Sequence, residues 1–262
     1  MNRLNIKHWF GFWSAAFLRV HQHPIFTKYR QRYPRLFRFI SLRFDPHRFR
    51  GLPLTMFLLG LVLNAFILSE MAEELREASR LRNVDRLLAQ YFYVNRHEGL
   101  AQFIYRFTRL GSSPTVLTVL AALGFLLLRR NRFHAFAAIV ASLCTSSLSA
   151  YAGKVYYQVP RPHELAWYEE FSYSFPSGHA TVAMAYYGIL FYLLVMYMKD
   201  KRFKIGISLL AALFIFAMGF SRVYLGVHYL SDVLSGFAIG FVWLLFSIAL
   251  LSWLDFRREL RS

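Results

Sequence analysis

Six long apolar runs constrain this chain more than any other feature: 52–69, 113–128, 134–152, 180–198, 205–220 and 229–254. A helix needs about 20 mostly apolar residues to cross the hydrocarbon core of a bilayer. The second and fifth runs are the shortest. The alternative is a soluble bundle of buried helices. Helices of that kind keep a polar face for water, and these runs offer little of one. The expected architecture is therefore all-α, a polytopic membrane protein with six transmembrane helices. No internal repeat or low-complexity tract stands out.

Charge sets the orientation. The chain has a formal net charge of +17, which invites nucleic acid as a partner, but the distribution argues against it. With the N-terminus in the cytoplasm, the inside segments hold 21 of the 31 Lys and Arg and 4 of the 14 acidic residues. The outside segments then hold 10 cations and 10 acids, and net to zero. This is the positive-inside pattern. It puts both termini in the cytoplasm and makes anionic lipids the natural partner of the basic face.

Three regions follow from the patterning. Residues 1–50 form a basic, aromatic N-terminal extension broken by Pro24, Pro34 and Pro46. Trp9 to Leu18 has the size of a signal-peptide core, but Arg19 ends it and no small-residue cleavage site follows. The extension reads either as a short amphipathic element in the interface or as a poorly ordered cytoplasmic tail. Residues 51–256 form the six-span domain, and 257–262 a cytoplasmic tail. Within the domain, 70–92 reads as a surface helix on the outer face. Leu75, Ala78, Leu81, Val84 and Leu88 share one side of it, while Glu73 with Arg76 and Glu77 with Arg80 are spaced to pair. It is expected to connect spans, with a cover over a catalytic mouth as the alternative. Cys144, the only cysteine, excludes an intrachain disulfide and reads as a small packing residue.

Three short motifs fall at the outer ends of these spans. Lys154 and Arg161 lie seven residues apart, two helical turns, so they share a face. Pro160 and Pro162 bracket Arg161 and end the helix. Arg supplies a fork matched to phosphate oxygens and Lys a point charge. Two interfacial cations snorkelling to water would look the same. Pro176-Ser177-Gly178-His179 opens directly into the fourth run. Free N–H groups and the positive dipole end there suit an anion. Ser177 caps the helix, Gly178 lets the backbone approach and His179 stands ready to donate a proton. An ordinary Ser cap beside an incidental His is the plainer reading. Ser221-Arg222 precedes His228 and Asp232, which are spaced i,i+4. A carboxylate on one ring nitrogen orients the imidazole and frees the other nitrogen to attack; a structural His–Asp cap is the alternative. All three motifs lie on one side of the membrane, and together they satisfy the needs of phosphoryl transfer, which are positioning and charge stabilisation.

Lys154-x6-Arg161-Pro162, Pro176-Ser177-Gly178-His179 and Ser221-Arg222-x5-His228-x3-Asp232 resemble the three signatures of the type 2 phosphatidic acid phosphatase superfamily. The resemblance covers about 52–254 and leaves residues 1–50 outside it. It implies a helical bundle like those of acid phosphatases and vanadium haloperoxidases. It also implies phosphate binding by Lys154, Arg161, Ser177, Gly178 and Arg222. His228 would attack phosphorus and form a phosphohistidine, oriented by Asp232. His179 would protonate the leaving oxygen and then activate water. No metal and no cofactor is implied. The substrates expected are lipid phosphates or diphosphates at the outer leaflet of a plasma (inner) membrane: undecaprenyl diphosphate, phosphatidylglycerol phosphate or phosphatidic acid. A lipid phosphotransferase using the same intermediate is the alternative, and a transporter or scaffold the non-catalytic one. Tyr156, Tyr157, Trp167 and Tyr168 read either as a border to the headgroup or as belt aromatics.

Overall fold

The structure, a computed structural model, describes residues 80–259 and scattered positions between 32 and 69. Among the described residues there are helices and no strand. In chain order they are α1 (Arg80–Val94), α2 (Glu98–Thr108), α3 (Ser113–Arg129), α4 (Phe133–Tyr157), α5 (Gly178–Tyr197), α6 (Lys201–Tyr224) and α7 (Leu230–Glu259). A short 3₁₀ turn, Arg109–Gly111, joins α2 to α3.

Four of these helices are long and apolar enough to cross a membrane: α4, α5, α6 and α7 up to Asp255. A fifth span arises if α2 and α3 count as one segment, bent by 48°. The expected span 113–128 thus extends toward its N-terminus through α2, and Pro114 at the start of α3 sits at the bend. Positions described between 54 and 69 are helical. Phe57 packs there on Phe246 of α7, with ring centroids 5.2 Å apart. The rest of the expected span 52–69, the extension 1–50 apart from 32–34, and the tail from 260 lie outside the described residues.

Apolar side chains on the outer faces of these helices stay uncovered. Leu209, Leu213 and Phe216 on α6 are each more than 60% exposed, a pattern suited to lipid and costly in water. Cys144 is also exposed on α4, contrary to its expected packing role. The buried side of α4 runs instead through Ala135, Ala138, Ile139, Ser142 and Leu143.

Close contact of α5 with α7 centres the bundle. Gly236 and Gly240, one turn apart on α7, face α5. A Cβ on Gly236 would lie 2.6 Å from the Ser177 carbonyl oxygen, and one on Gly240 2.5 Å from that of Thr181. Small residues at this spacing let two membrane helices touch along their backbones. The outcome for function is direct, because the start of α5 is seated against the start of α7.

The expected surface helix 70–92 overlaps α1, in which Leu81 and Leu88 of the expected stripe are half-buried. α1 is described from Arg80, so Glu73, Leu75, Arg76, Glu77 and Ala78 fall outside. Asp85 and Ala89 are buried, whereas Val84 is 47% exposed. The inward stripe continues through Phe92, which packs edge-on against Phe220 at 5.5 Å and into the cluster of Tyr224, Leu225 and Val227. α1 therefore clasps the corner between α6 and α7. Periodicity alone missed this because an acidic residue occupies the centre of the stripe.

Candidate active site

Local sequence chemistry delivers the site residues to one end of the bundle. α4 stops at Tyr157, and Gln158 takes a left-handed conformation (φ 51°) whose N–H returns to the Lys154 carbonyl. Pro160 and Pro162 keep the chain from resuming a helix. The loop 158–177 then folds across the end of the bundle. It is pinned by Trp167 N–H donating to the Leu225 carbonyl at 2.8 Å and by Ser174 N–H donating to that of Val159 at 2.8 Å. Ser177 caps α5, its hydroxyl oxygen 3.5 Å from the Ala180 N–H. α5 carries a π-helical turn over Ala183–Tyr187.

All eight expected residues gather there. Arg161, Ser177, Arg222, His228 and Asp232 are buried, Ser177, Arg222 and Asp232 completely. Lys154, Gly178 and His179 are half-buried. Snorkelling does not describe Arg161. Its Nε donates to the Ser172 carbonyl at 2.6 Å, and its Nη1 donates to that of Val227 at 2.6 Å. Lys154 Nζ donates to the carbonyls of Tyr173 and Ser174. These cations therefore order the loop as well as charging the pocket.

His228 and Asp232 form the expected pair. Asp232 Oδ2 lies 3.3 Å from His228 Nδ1 and accepts from the Tyr229 N–H at 2.9 Å and from the Ser174 hydroxyl at 2.5 Å. It is a cap and an orienter at once. An acceptor on Nδ1 places the ring proton there, which leaves Nε2 as the lone-pair nitrogen. Nε2 is 3.1 Å from Arg161 Nη1. Burial, followed by the charges of Arg161, Arg222 and Lys154, pushes the His228 imidazole well below its ordinary value. The ring is therefore neutral at neutral pH, as a nucleophile must be.

His179 stands at the same end, within electrostatic reach of Arg222, Glu170, Arg161 and Lys154 and of His228. Gly111 makes its room: a Cβ there would sit 2.7 Å from His179 Cδ2. The Ser177 N–H is already engaged by the Asp232 carbonyl at 3.0 Å. Gly178 and His179 remain as first-turn N–H groups without an intrahelical partner. A Cβ on Gly178 would meet nothing within 4 Å, so a ligand can approach this backbone closely.

The sequence reading missed Glu170. Its Oε2 is 2.7 Å from Arg161 Nη2, and its Oε1 pairs with Arg222 Nη2. Burial works against its charge, but Arg222 and Arg161 outweigh it and hold the carboxyl below its ordinary range. Tyr168 donates to Glu170 Oε1 at 3.1 Å and accepts from Arg222 Nη1. Burial pushes its phenol up to about 12, so it stays protonated. Two expected phosphate ligands thus hold a carboxylate between them. Arg222 Nε is buried with no partner among the described residues. Ser174 and Thr108, the latter accepting from Arg222 Nη1 at 3.3 Å, were also missed. Neither carries a charge pattern that would mark it in sequence. The one available signal for Glu170 was an acidic pair in a motif-bearing loop, and its neighbour Glu169 is exposed.

Residues 133–256 match the family model described as the PAP2 superfamily. The chain carries a PAP2 superfamily domain. The expected resemblance is thereby confirmed, and the domain spans α4 to α7 with every expected site residue. Phosphatidylglycerophosphatase B of Bacillus subtilis (strain 168) is 27% identical over 189 residues, 72% of this chain and 89% of that protein. The crystal structure of a transmembrane PAP2-type phosphatidylglycerolphosphate phosphatase from Bacillus subtilis superposes with a TM-score of 0.63 at 26% identity. It covers 75% of this chain and 94% of that one. Aquifex aeolicus LpxE shares the fold, with a TM-score of 0.52 at 24% identity over 63% of this chain and 94% of its own. These likenesses and the apolar helices together describe a multi-pass membrane protein.

Proposed function

We propose that this PAP2 domain hydrolyses lipid phosphates or diphosphates, with undecaprenyl diphosphate, phosphatidylglycerol phosphate and phosphatidic acid as candidate substrates. One observation carries the reading: a neutral, buried His228, oriented by Asp232, adjoins two guanidinium groups that clamp a carboxylate. The clamp accepts an oxyanion, and the imidazole is held beside it.

In this reading the substrate phosphate displaces Glu170 from Arg161 and Arg222. Its further oxygens meet Lys154, Arg222 Nε and the N–H groups at the start of α5. Fixed donors of this kind stabilise the charge that develops in phosphoryl transfer. His228 Nε2 forms a bond to phosphorus while the bond to the lipid oxygen breaks. His179 gives that oxygen its proton, and the incoming phosphate dianion supplies the negative charge beside which His179 holds it. Water then attacks the phosphohistidine, His179 takes the water's proton, and the N–P bond breaks to release phosphate. No metal enters this scheme. Among the described residues, no three His, Cys, Asp or Glu side chains converge as ligands for one.

A lipid substrate is supported by the surroundings. An apolar cleft of about 190 Å³ between α4 and α7 is lined by Gly153, Tyr157, Pro176 and Trp243. Gly153 adjoins Lys154 in the chain and Pro176 adjoins Ser177, so a tail in this cleft would leave its headgroup at the cations. The charge asymmetry of the loops supports a site facing the outer leaflet of the plasma (inner) membrane, with both termini in the cytoplasm. The test is phosphate release by the purified chain from a panel of lipid phosphates and diphosphates, with and without vanadate. Release from at least one lipid, inhibited competitively by vanadate, is expected. No release from any lipid would contradict the reading.

A further inference from the structure

We infer that Asp85, on a surface helix outside the matched PAP2 segment, is a positioning residue for the reaction, acting through the first turn of α7; the inference rests on the phosphatase reading above. Asp85 is 1% exposed. Its Oδ1 accepts from the Ser231 N–H at 3.1 Å, and its Oδ2 from the Ser231 hydroxyl at 2.5 Å. Burial outweighs the two bonds to Ser231 and the charge of Arg82, so the carboxyl lies above its ordinary value. A carboxylate kept out of water needs partners of this kind. Its partner belongs to the first turn of α7, whose N–H groups have no acceptor within the helix. Asp85 therefore caps α7 from another helix, favourably placed against the positive end of its dipole.

That turn is the part of the molecule on which both histidines depend. Asp232 follows Ser231 directly and orients His228 through Oδ2. The Asp232 carbonyl accepts the Ser177 N–H, which seats the start of α5 and so His179. A shift of the turn would move the nucleophile's partner and the acid–base residue together. Asp232 Oδ2 also accepts from the Tyr229 N–H and the Ser174 hydroxyl, both within the catalytic end itself. Asp85 instead ties the turn to α1, which Phe92 anchors in the α6–α7 corner. The covering helix is therefore a brace on the catalytic turn.

The experiment compares the full chain in detergent with Asp85→Ala, Asp85→Asn and Ser231→Ala. It measures kcat, KM, thermal unfolding and the single-turnover rate of His228 phosphorylation on one lipid phosphate. Asp85→Ala is expected to lower kcat and the phosphorylation rate together by roughly 10- to 100-fold, the scale of a small misplacement. KM should stay within about threefold. Asp85→Asn keeps an acceptor for the Ser231 N–H and is expected to recover most of kcat. Ser231→Ala loses only the hydroxyl bond and should fall in between; it carries the test if Asp85→Ala does not fold. Wild-type kcat in Asp85→Ala, or in Ser231→Ala where that variant stands in, overturns the inference. So does a loss that tracks only the unfolded fraction. An active wild type separates either result from failure of the phosphatase reading, which an inactive wild type would signal.

Discussion

The two ends of the helical bundle use charge in opposite ways. At the end formed by the loop 158–177 and the α6–α7 turn, Arg161 and Arg222 are buried and share Glu170. At the other end, Arg129, Arg130, Lys199, Lys201 and Arg202 are exposed. Their neighbours include a half-buried pair, His134 with Asp255 at 2.8 Å, and an Asp200 cap on α6. Exposed cations contribute little to stability and suit a headgroup layer. Buried ones demand an anion and bring chemistry with them. Cation count therefore does not distinguish a site from a surface; burial and convergence do.

The comparison breaks if the buried end proves dispensable. The largest expected effect is from His228→Ala, which should lower kcat by roughly four orders of magnitude or more while the protein still unfolds cooperatively on heating. Near-normal phosphate release would remove His228 as nucleophile. Arg222→Ala, stripping one clamp arm and leaving Glu170 half-paired, should cost about 10²- to 10³-fold in kcat/KM, the scale of one preorganised donor. Turnover with a range of phosphate analogues measures it.

A finer contrast comes from Glu170→Gln. Losing the competing negative charge should tighten vanadate binding severalfold, because phosphate no longer displaces an ion pair. Weaker binding would make Glu170 a contributor instead of a placeholder. The pH profile follows the same logic. A protonated His228 cannot attack, and its ring titrates well below its ordinary value. The acid limb of kcat/KM due to His228 should thus lie well below pH 6.5, with activity retained as the pH drops through that value. The smallest effect belongs to the other end: His134→Ala should lower stability by about 1 kcal/mol and leave turnover within twofold. A large loss of turnover there would erase the distinction between the ends.

Much of the site was legible because phosphoryl transfer needs few residue types at tight spacings. The His228 to Asp232 spacing brings the expected pair together across the start of α7, whereas α4 ends at Tyr157, so Arg161 reaches the site from the loop and not from a second helical turn beyond Lys154. The apolar runs marked α4 to α7 for the same reason, since a bilayer leaves a continuous signature in composition. What escaped was what tertiary contact alone decides. Glu170 and Glu169 are identical in sequence terms, and only the path of the loop selects which one meets the arginines. The apolar spacing of 70–92 passes over Asp85, yet it is the buried centre of the stripe because Ser231 provides its partners. Cys144 read as packing because residue type was the only guide, whereas its position on α4 turns it outward.

The central claim is that His228 Nε2 bonds to the phosphorus held by Arg161 and Arg222. It is tested most directly by rapid-quench labelling with a ³²P-lipid phosphate, followed by mapping of the alkali-stable, acid-labile label. The account predicts transient label on His228 that vanishes in His228→Ala and accumulates when His179 is replaced. Label on any other residue, or full turnover with no labelled protein at any time, would contradict it.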